Sequence, residues 1–120
     1  MTLTHPETPI EGVYLCEDLD LKRLFGRTFA DMPDLRLYAP QEVPDPARIT
    51  FALAWRPGAE AFGPFPALSL VQSIASGVDG ILSSDSLPET AQVARVRDAG
   101  QADVMAGFAV WHLIWHHRNM

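Results

Sequence analysis

Nine of the ten prolines lie before Ala67, and that spacing decides what the stretch can become. Proline lacks an amide hydrogen and its ring clashes with the preceding helical turn, so no long helix passes through such a segment. Between the prolines stand short apolar runs at 12–16, 35–38, 49–55 and 68–74. Each has the length of a strand, and 49–55 (Ile-Thr-Phe-Ala-Leu-Ala-Trp) is the best formed. One helical face interrupts them: Leu21, Leu24, Phe25 and Phe29 recur at spacings of three and four. Glu17, Asp18 and Asp20 precede it, where acids suit the positive helix end, and Met32-Pro33-Asp34 stops it. Residues 1–11 read as a lead-in, Pro44-Asp45-Pro46 as a loop or degraded helix, and 63–66 as irregular. After the turn Ala75-Ser76-Gly77 a short helix is expected over 78–83, then a strand over 93–96. Beyond Gly100 a helical pattern runs from Gln101 to the end.

Apolar runs without strict alternation suit strands covered on both faces, as in a parallel sheet. The expected fold is α/β: a flavodoxin-like open parallel sheet of about five strands with helices on both faces. A chain of 120 residues, 48% apolar, makes one domain with a sizeable core. Fifteen acids against nine bases give a charge of −6, and Lys22 is the single lysine. That balance disfavours nucleic acid and anionic membranes, which demand clustered Lys and Arg. Cys16 stands alone, which excludes an intrachain disulfide framework. No run spans a bilayer and no leader pattern opens the chain, so a soluble cytoplasmic domain is expected.

Chemistry concentrates at two strand ends. In the stretch from Gln72 to Leu82, which reads Gln-Ser-Ile-Ala-Ser-Gly-Val-Asp-Gly-Ile-Leu, a buried strand runs into small residues and then a helix start. Such a turn lets an anion reach backbone N–H groups, and a carboxylate would fit. The competing reading is a tight turn with Gly77 chosen for its backbone angles. Asp79 reads as a first-turn helix acid. Trp55 and Arg56 end the central strand, on the side where open α/β sheets bind ligands. There Arg56 suits a carboxylate and Trp55 a pocket wall, against a core Trp and a solvated Arg. Cys16 reads as a buried, inert thiol, and Asp18 with Asp20 as a helix N-terminal pair. His112 and His116 have metal spacing, but Leu113 stands where HExxH needs Glu and no third ligand is near. No metal site is expected.

The last helix is different. Val104, Phe108, Trp111 and Trp115 recur at four, three and four, beside a stripe of Met105, Ala109, His112 and His116. Leu113 and Ile114 widen the surface, so the helix needs cover from more than the one sheet face available. Gly107 weakens it by roughly 1 kcal/mol against Ala. Met120 follows in mid-pattern, which reads as an interruption.

Three segments, Phe51-Ala52-Leu53-Ala54-Trp55-Arg56-Pro57, Ile74 through Leu82 with its Gly77-Val78-Asp79, and Val96-Arg97-Asp98-Ala99-Gly100-Gln101, resemble the D-isomer-specific 2-hydroxyacid dehydrogenases. The likeness is to the glyoxylate/hydroxypyruvate reductase A branch and runs from about Ile49 onward. It implies a two-domain enzyme that reduces a 2-oxo acid with NADPH or NADH. Residues 1–100 would form the substrate-binding domain, and 101–120 a helix crossing to a nucleotide-binding domain. By the same resemblance the Ser76 and Gly77 amides hold the substrate carboxylate, Trp55 and Arg56 line its pocket, and Met105 approaches the nicotinamide. The family's catalytic Arg, Glu and His and its GxGxxG have no counterpart in these 120 residues, so the chain alone is expected to be inactive, with no catalytic residue assigned. The alternative is a non-catalytic α/β module that homodimerises through Phe108, Trp111 and Trp115.

Overall fold

Each apolar run between prolines becomes a strand in the computed structural model, which describes residues 8–118. The strands are β1 (Ile10–Leu15), β2 (Leu35–Tyr38), β3 (Ile49–Ala54), β4 (Leu70–Ser73) and β5 (Gln92–Ala94). The helices are α1 (Leu21–Ala30), α2 (Asp79–Leu82) and α3 (Gln101–His117). All strand pairs are parallel, in the order β2-β1-β3-β4-β5. This is the flavodoxin-like order expected. β1 begins inside the expected lead-in, because the Ile10 amide already pairs with the Asp34 carbonyl at 2.8 Å. Residues 1–7 of that lead-in, and 119–120, lie outside the described residues.

Two side-chain layers form on the two faces of the sheet. Val13, Leu15, Ala52, Ala54 and Val71 share one core with Phe62, Phe65, Leu68 and Ile81. Tyr14 and Leu53 share the other with Leu21, Phe25 and Phe29 of α1. So α1 covers one face and α2 the other, but α2 is a single turn. The segment between β3 and β4 takes the place of a longer helix there. Its prolines and glycines forbid a helix, and it coils instead through successive turns: Ala61 N to Gly58 O, Gly63 N to Glu60 O, Phe65 N to Phe62 O. Ser84 Oγ donates to the Gly58 and Ala59 carbonyls at 3.1 Å and fastens this coil to the chain after α2.

Asp20 caps α1, its Oδ1 accepting from the Arg23 amide at 3.1 Å. Leu24 departs from the expected apolar face of α1: it is 59% exposed, while Leu21 is buried. The larger departure is α3. A partial cover by the sheet was expected, yet none of its residues is buried. The chain measures 59 × 38 × 26 Å with a radius of gyration of 17.9 Å. A compact chain of this length has a radius near 14 Å. Its apolar residues surround the helical axis, and no single side of α3 matches the sheet.

Gly12 lies directly under the Phe51 ring, where a side chain would collide with the ring carbons. Replacing Gly12 by Leu should therefore cost about 1–3 kcal/mol in overpacking, read as a lower urea midpoint. An unchanged midpoint would show that the Phe51 ring moves aside freely.

Candidate functional site at the carboxyl ends of the strands

Chain crossovers leave β1 and β3 in opposite directions, so the carboxyl ends of these strands border a crevice. The backbone pairing continues beyond the strands: Trp55 N donates to Leu15 O at 3.1 Å, and Glu17 N to Arg56 O at 3.4 Å. Arg56 alone among the described non-glycine residues has a positive φ, 44°. Such a conformation costs about 1–3 kcal/mol and persists only where its surroundings hold it. Pro57 follows it, and Gly80 of α2 packs close against its backbone.

Trp55, Arg56, Gly77, Asp79, Gly80 and Ile81 line one cavity of about 300 Å³. Three of the four residues expected to bind substrate, Trp55, Arg56 and Gly77, thus meet. Ser76 does not join them. It lines an adjacent cavity of about 380 Å³ with Met105, the residue expected at the cofactor. Trp55 is half-buried rather than a core residue, and Arg56 is exposed. The Arg56 guanidinium lies 5.8 Å from the Trp55 ring centre and 3.5 Å from Asp18 Oδ2.

The loop after β4 is held by Ser73, a fully buried residue to which the sequence alone assigns no role. Its hydroxyl donates to the Gly77 carbonyl at 2.8 Å and accepts from the Ala75 amide at 3.1 Å. A serine ending a buried apolar strand was the available signal. Among the described residues, the amides of Ser76, Gly77 and Val78 donate to no protein acceptor. Gly77 does not have a positive φ, and a side chain added there would meet nothing within 4 Å. Neither turn geometry nor internal packing requires a glycine at this position, so the tight-turn reading is set aside. α2 is one turn long, and any anion cradle here consists of loop amides rather than a helix dipole.

Several side chains differ from expectation. Asp18 does not share the helix end with Asp20; it accepts the Cys16 thiol on Oδ1 at 3.0 Å and pairs with Arg56. Cys16 is half-buried, not buried. Burial, then the bond to Asp18, raises the thiol pKa. The same bond, aided by Arg56, lowers that of the Asp18 carboxyl. Cys16 and Glu17 also border a further cavity, about 570 Å³, with Pro40, Val43, Ala61 and Phe65. Its walls come from three separate loops, and the sequence carried no sign of it beyond the prolines. On α3, the His112 Nδ1 lies 3.1 Å from the Phe108 carbonyl and its ring, tilted by 47°, has its centre 4.2 Å from that of Phe108. No group of three metal-ligating side chains occurs among the described residues. No helix there is long and apolar enough to cross a membrane.

No family model matches the chain, and no curated protein does. Solved structures do. A D-isomer specific 2-hydroxyacid dehydrogenase from Xanthobacter autotrophicus Py2, in complex with NADPH and MES, is 26% identical with a TM-score of 0.68. The match covers 88% of this chain and 35% of that one. A family member from Klebsiella pneumoniae 342 is 24% identical over 97% of this chain and 37% of its own, with a TM-score of 0.75. An NADPH-dependent glyoxylate/hydroxypyruvate reductase from Sinorhizobium meliloti, in complex with NADP and sulfate, is 20% identical over 94% of this chain and 36% of its own, with a TM-score of 0.67. The last two likenesses establish the fold. The chain has the α/β fold found in D-isomer-specific 2-hydroxyacid dehydrogenases and spans about a third of their length.

The Cys16 thiol, held protonated, adds stability that is fully present below the ordinary thiol pKa near 8.5 and is lost as pH rises through the higher folded value. Iodoacetamide should therefore alkylate Cys16 more slowly than glutathione at pH 8. In Asp18→Asn the rate profile should move to lower pH while staying above that of glutathione, since burial remains.

Proposed function

We propose that this chain is the substrate-binding part of an NAD(P)H-dependent reductase of small 2-oxo acids, of the glyoxylate/hydroxypyruvate kind. The observation that carries the reading is the unspent amide of Gly77 on the cavity walled by Trp55 and Arg56, with the amides of Ser76 and Val78 on either side of it likewise unspent. Backbone N–H groups in a row attract a carboxylate, and a guanidinium beside them adds a two-pronged partner. Asp79 on the same wall opposes a second negative charge, which suits a ligand that presents one carboxylate inward. In this reading 1–100 is the substrate domain, 101–120 is the helix leading to a nucleotide domain, and the protein is cytoplasmic.

NADP or NAD is the cofactor that the neighbours suggest, two of them being described with NADPH or NADP. A bound nicotinamide would accept or supply hydride at the 2-carbon. The residues present fit only one edge of such a molecule, with Met105 and Ser76 on a shared wall. No glycine-rich phosphate loop occurs in the sequence, so no step is assigned through the cofactor. Among the described residues no histidine borders either cavity. The chain's own part is therefore to bind and orient the acid.

Titration of the full chain with oxalate, followed by amide NMR, tests this. Trp55, Arg56, Gly77 and Val78 should shift together and saturate. Arg56→Gln should weaken binding about fivefold, the usual worth of one exposed charge partner near 1 kcal/mol. Gly77→Ala should leave the urea midpoint equal or slightly higher, because the added methyl meets nothing. Shifts confined to other residues would overturn the assignment.

A second reading concerns assembly. Eight large apolar side chains of α3 are more than 40% exposed, among them Phe108, Trp111 and Trp115 at 60%, 56% and 42%. Trp111 and Trp115 stack at 5.3 Å. Exposed patches of this kind mark interfaces, and we propose that α3 packs against a second copy of itself. Light scattering at about 100 μM should give a dimer, a concentration that reports affinities of roughly −5.5 kcal/mol or better. Trp111→Glu should return it to monomer. A monomeric parent chain would refute the homodimer.

A further inference from the structure

The cavity of about 570 Å³ beside Cys16 shares no lining residue with the Trp55–Gly77 cavity or the Ser76–Met105 cavity. The chain passes from one to the other within a single turn: Arg56 lines the Trp55 cavity and Gly58 this one. Its floor is apolar, made by Leu15 and Phe65 of the sheet core with Val43, Ala61 and three prolines. Its polar side chains are the Cys16 thiol, turned to Asp18, and the exposed carboxylates of Glu17 and Glu60. Among the described residues, no ion pair or side-chain hydrogen bond engages either carboxylate. No base lines the cavity, and bases on adjoining segments are engaged elsewhere: Lys22 with Glu42, Arg48 with Glu11, Arg56 with Asp18. Glu17 is laid over the wall itself, since Gly58 leaves the room that its Oε1 takes and a side chain there would collide with it. The wall is held without a ligand: Ser84 Oγ donates to the Gly58 and Ala59 carbonyls, and the Ser86 amide to the Ala59 carbonyl, all at 3.1 Å. A pocket already in place lowers the ordering cost of binding.

We propose that this cavity binds a small organic ammonium ion, an amine on a short aromatic or branched aliphatic body. The body lies on the Leu15–Phe65 floor, and the ammonium group meets the carboxylates of Glu17 and Glu60 at the mouth. The volume falls within the range of small-molecule pockets, about 300–1,000 Å³. A bare metal ion is poorly served, because no group of three metal-ligating side chains occurs among the described residues. The inference does not rest on the reductase reading. Charge sorts the two neighbouring cavities: acids go to the unspent amide beside Arg56, amines to the carboxylates beside Cys16.

The test is amide NMR titration of the full chain with three probes of similar shape: phenethylamine, 2-phenylethanol and 3-phenylpropionate. Phenethylamine should move the amides of Glu17, Val43 and residues 58–61 saturably and leave Gly77 and Val78 in place. It should bind about fivefold more tightly than the alcohol, the size of one exposed ion pair, and the propionate should bind more weakly than either. Occupancy should slow the alkylation of Cys16 by iodoacetamide, while glutathione in the same solution reacts at an unchanged rate. In the double variant Glu17→Gln with Glu60→Gln, amine and alcohol should bind alike. Equal binding of amine and alcohol to the parent chain would overturn the ammonium assignment, and so would a preference for the amine that survives the double variant. Shifts confined to α3, or no saturable shift at 15–17 and 58–61 with any probe, would overturn the site itself. An oxalate titration that leaves Gly77 unmoved would overturn the reductase reading alone.

Discussion

The parallel pairing of β1 with β3 is the constraint on which the rest of this structure depends. Glu11 lies opposite Ile49 and Gly12 opposite Phe51, so Thr50 is skipped and the ladder is bulged at its start. The close approach of the two strands there requires Gly12, which supplies the space that the Phe51 ring fills. Glu11, nearly buried beside this bulge, accepts both Arg48 Nε at 2.8 Å and the Tyr38 hydroxyl at 3.2 Å. The start of the central pair is thereby tied to β2 and to the turn that enters β3. From this pair the crossovers diverge, and their divergence opens the crevice at the far end. Backbone hydrogen bonds past the strand ends then fix Arg56 against Glu17 and bring its guanidinium to Asp18.

The site that results is made more by backbone than by side chains. A buried hydroxyl, Ser73, replaces what a helix start would otherwise do: it fastens the loop by one carbonyl and one amide and leaves the next three amides unspent. Arg56 pays for its position with a left-handed backbone, which the adjoining proline and the packed α2 turn maintain. Both arrangements gather hydrogen-bond donors at one end of the sheet, with Asp18 and Asp79 close to Arg56. The cavities of Gly77 and Ser76 share a single loop, so a change that slackened Ser73 would disturb both.

The order of elements was legible in the residues because proline and apolar spacing act locally. β2 spans the run Leu35–Tyr38 that its alternation predicts, and α1 starts one residue after Asp20, which caps it. Trp55, Arg56 and Gly77 could be placed near one another since the carboxyl ends of parallel strands lie together in any sheet of this kind. Ser73 was not legible, because a hydroxyl in an apolar strand reveals its role only when the chain folds back to within 3 Å of it. Nor was the separation of Ser76 from Gly77, since the two face different cavities only after the residues past β5 have come alongside. The sequence marks only 63–66 as irregular and puts Leu68 at the start of a strand; that the whole coil between β3 and β4 fills one sheet face with Phe62, Phe65 and Leu68 follows from its fastening to Ser84.

By itself, then, the sequence determined the class of fold, the order of its strands along the chain and the two strand ends that come to border one cavity, because each rests on contacts among near neighbours. Tertiary structure alone decided the strain at Arg56 and the pairing of Asp18 with Cys16 and Arg56. It also decided that α3 stands clear of the sheet instead of against it. These depend on surfaces brought together from distant parts of the chain, and no local propensity encodes which surface meets which.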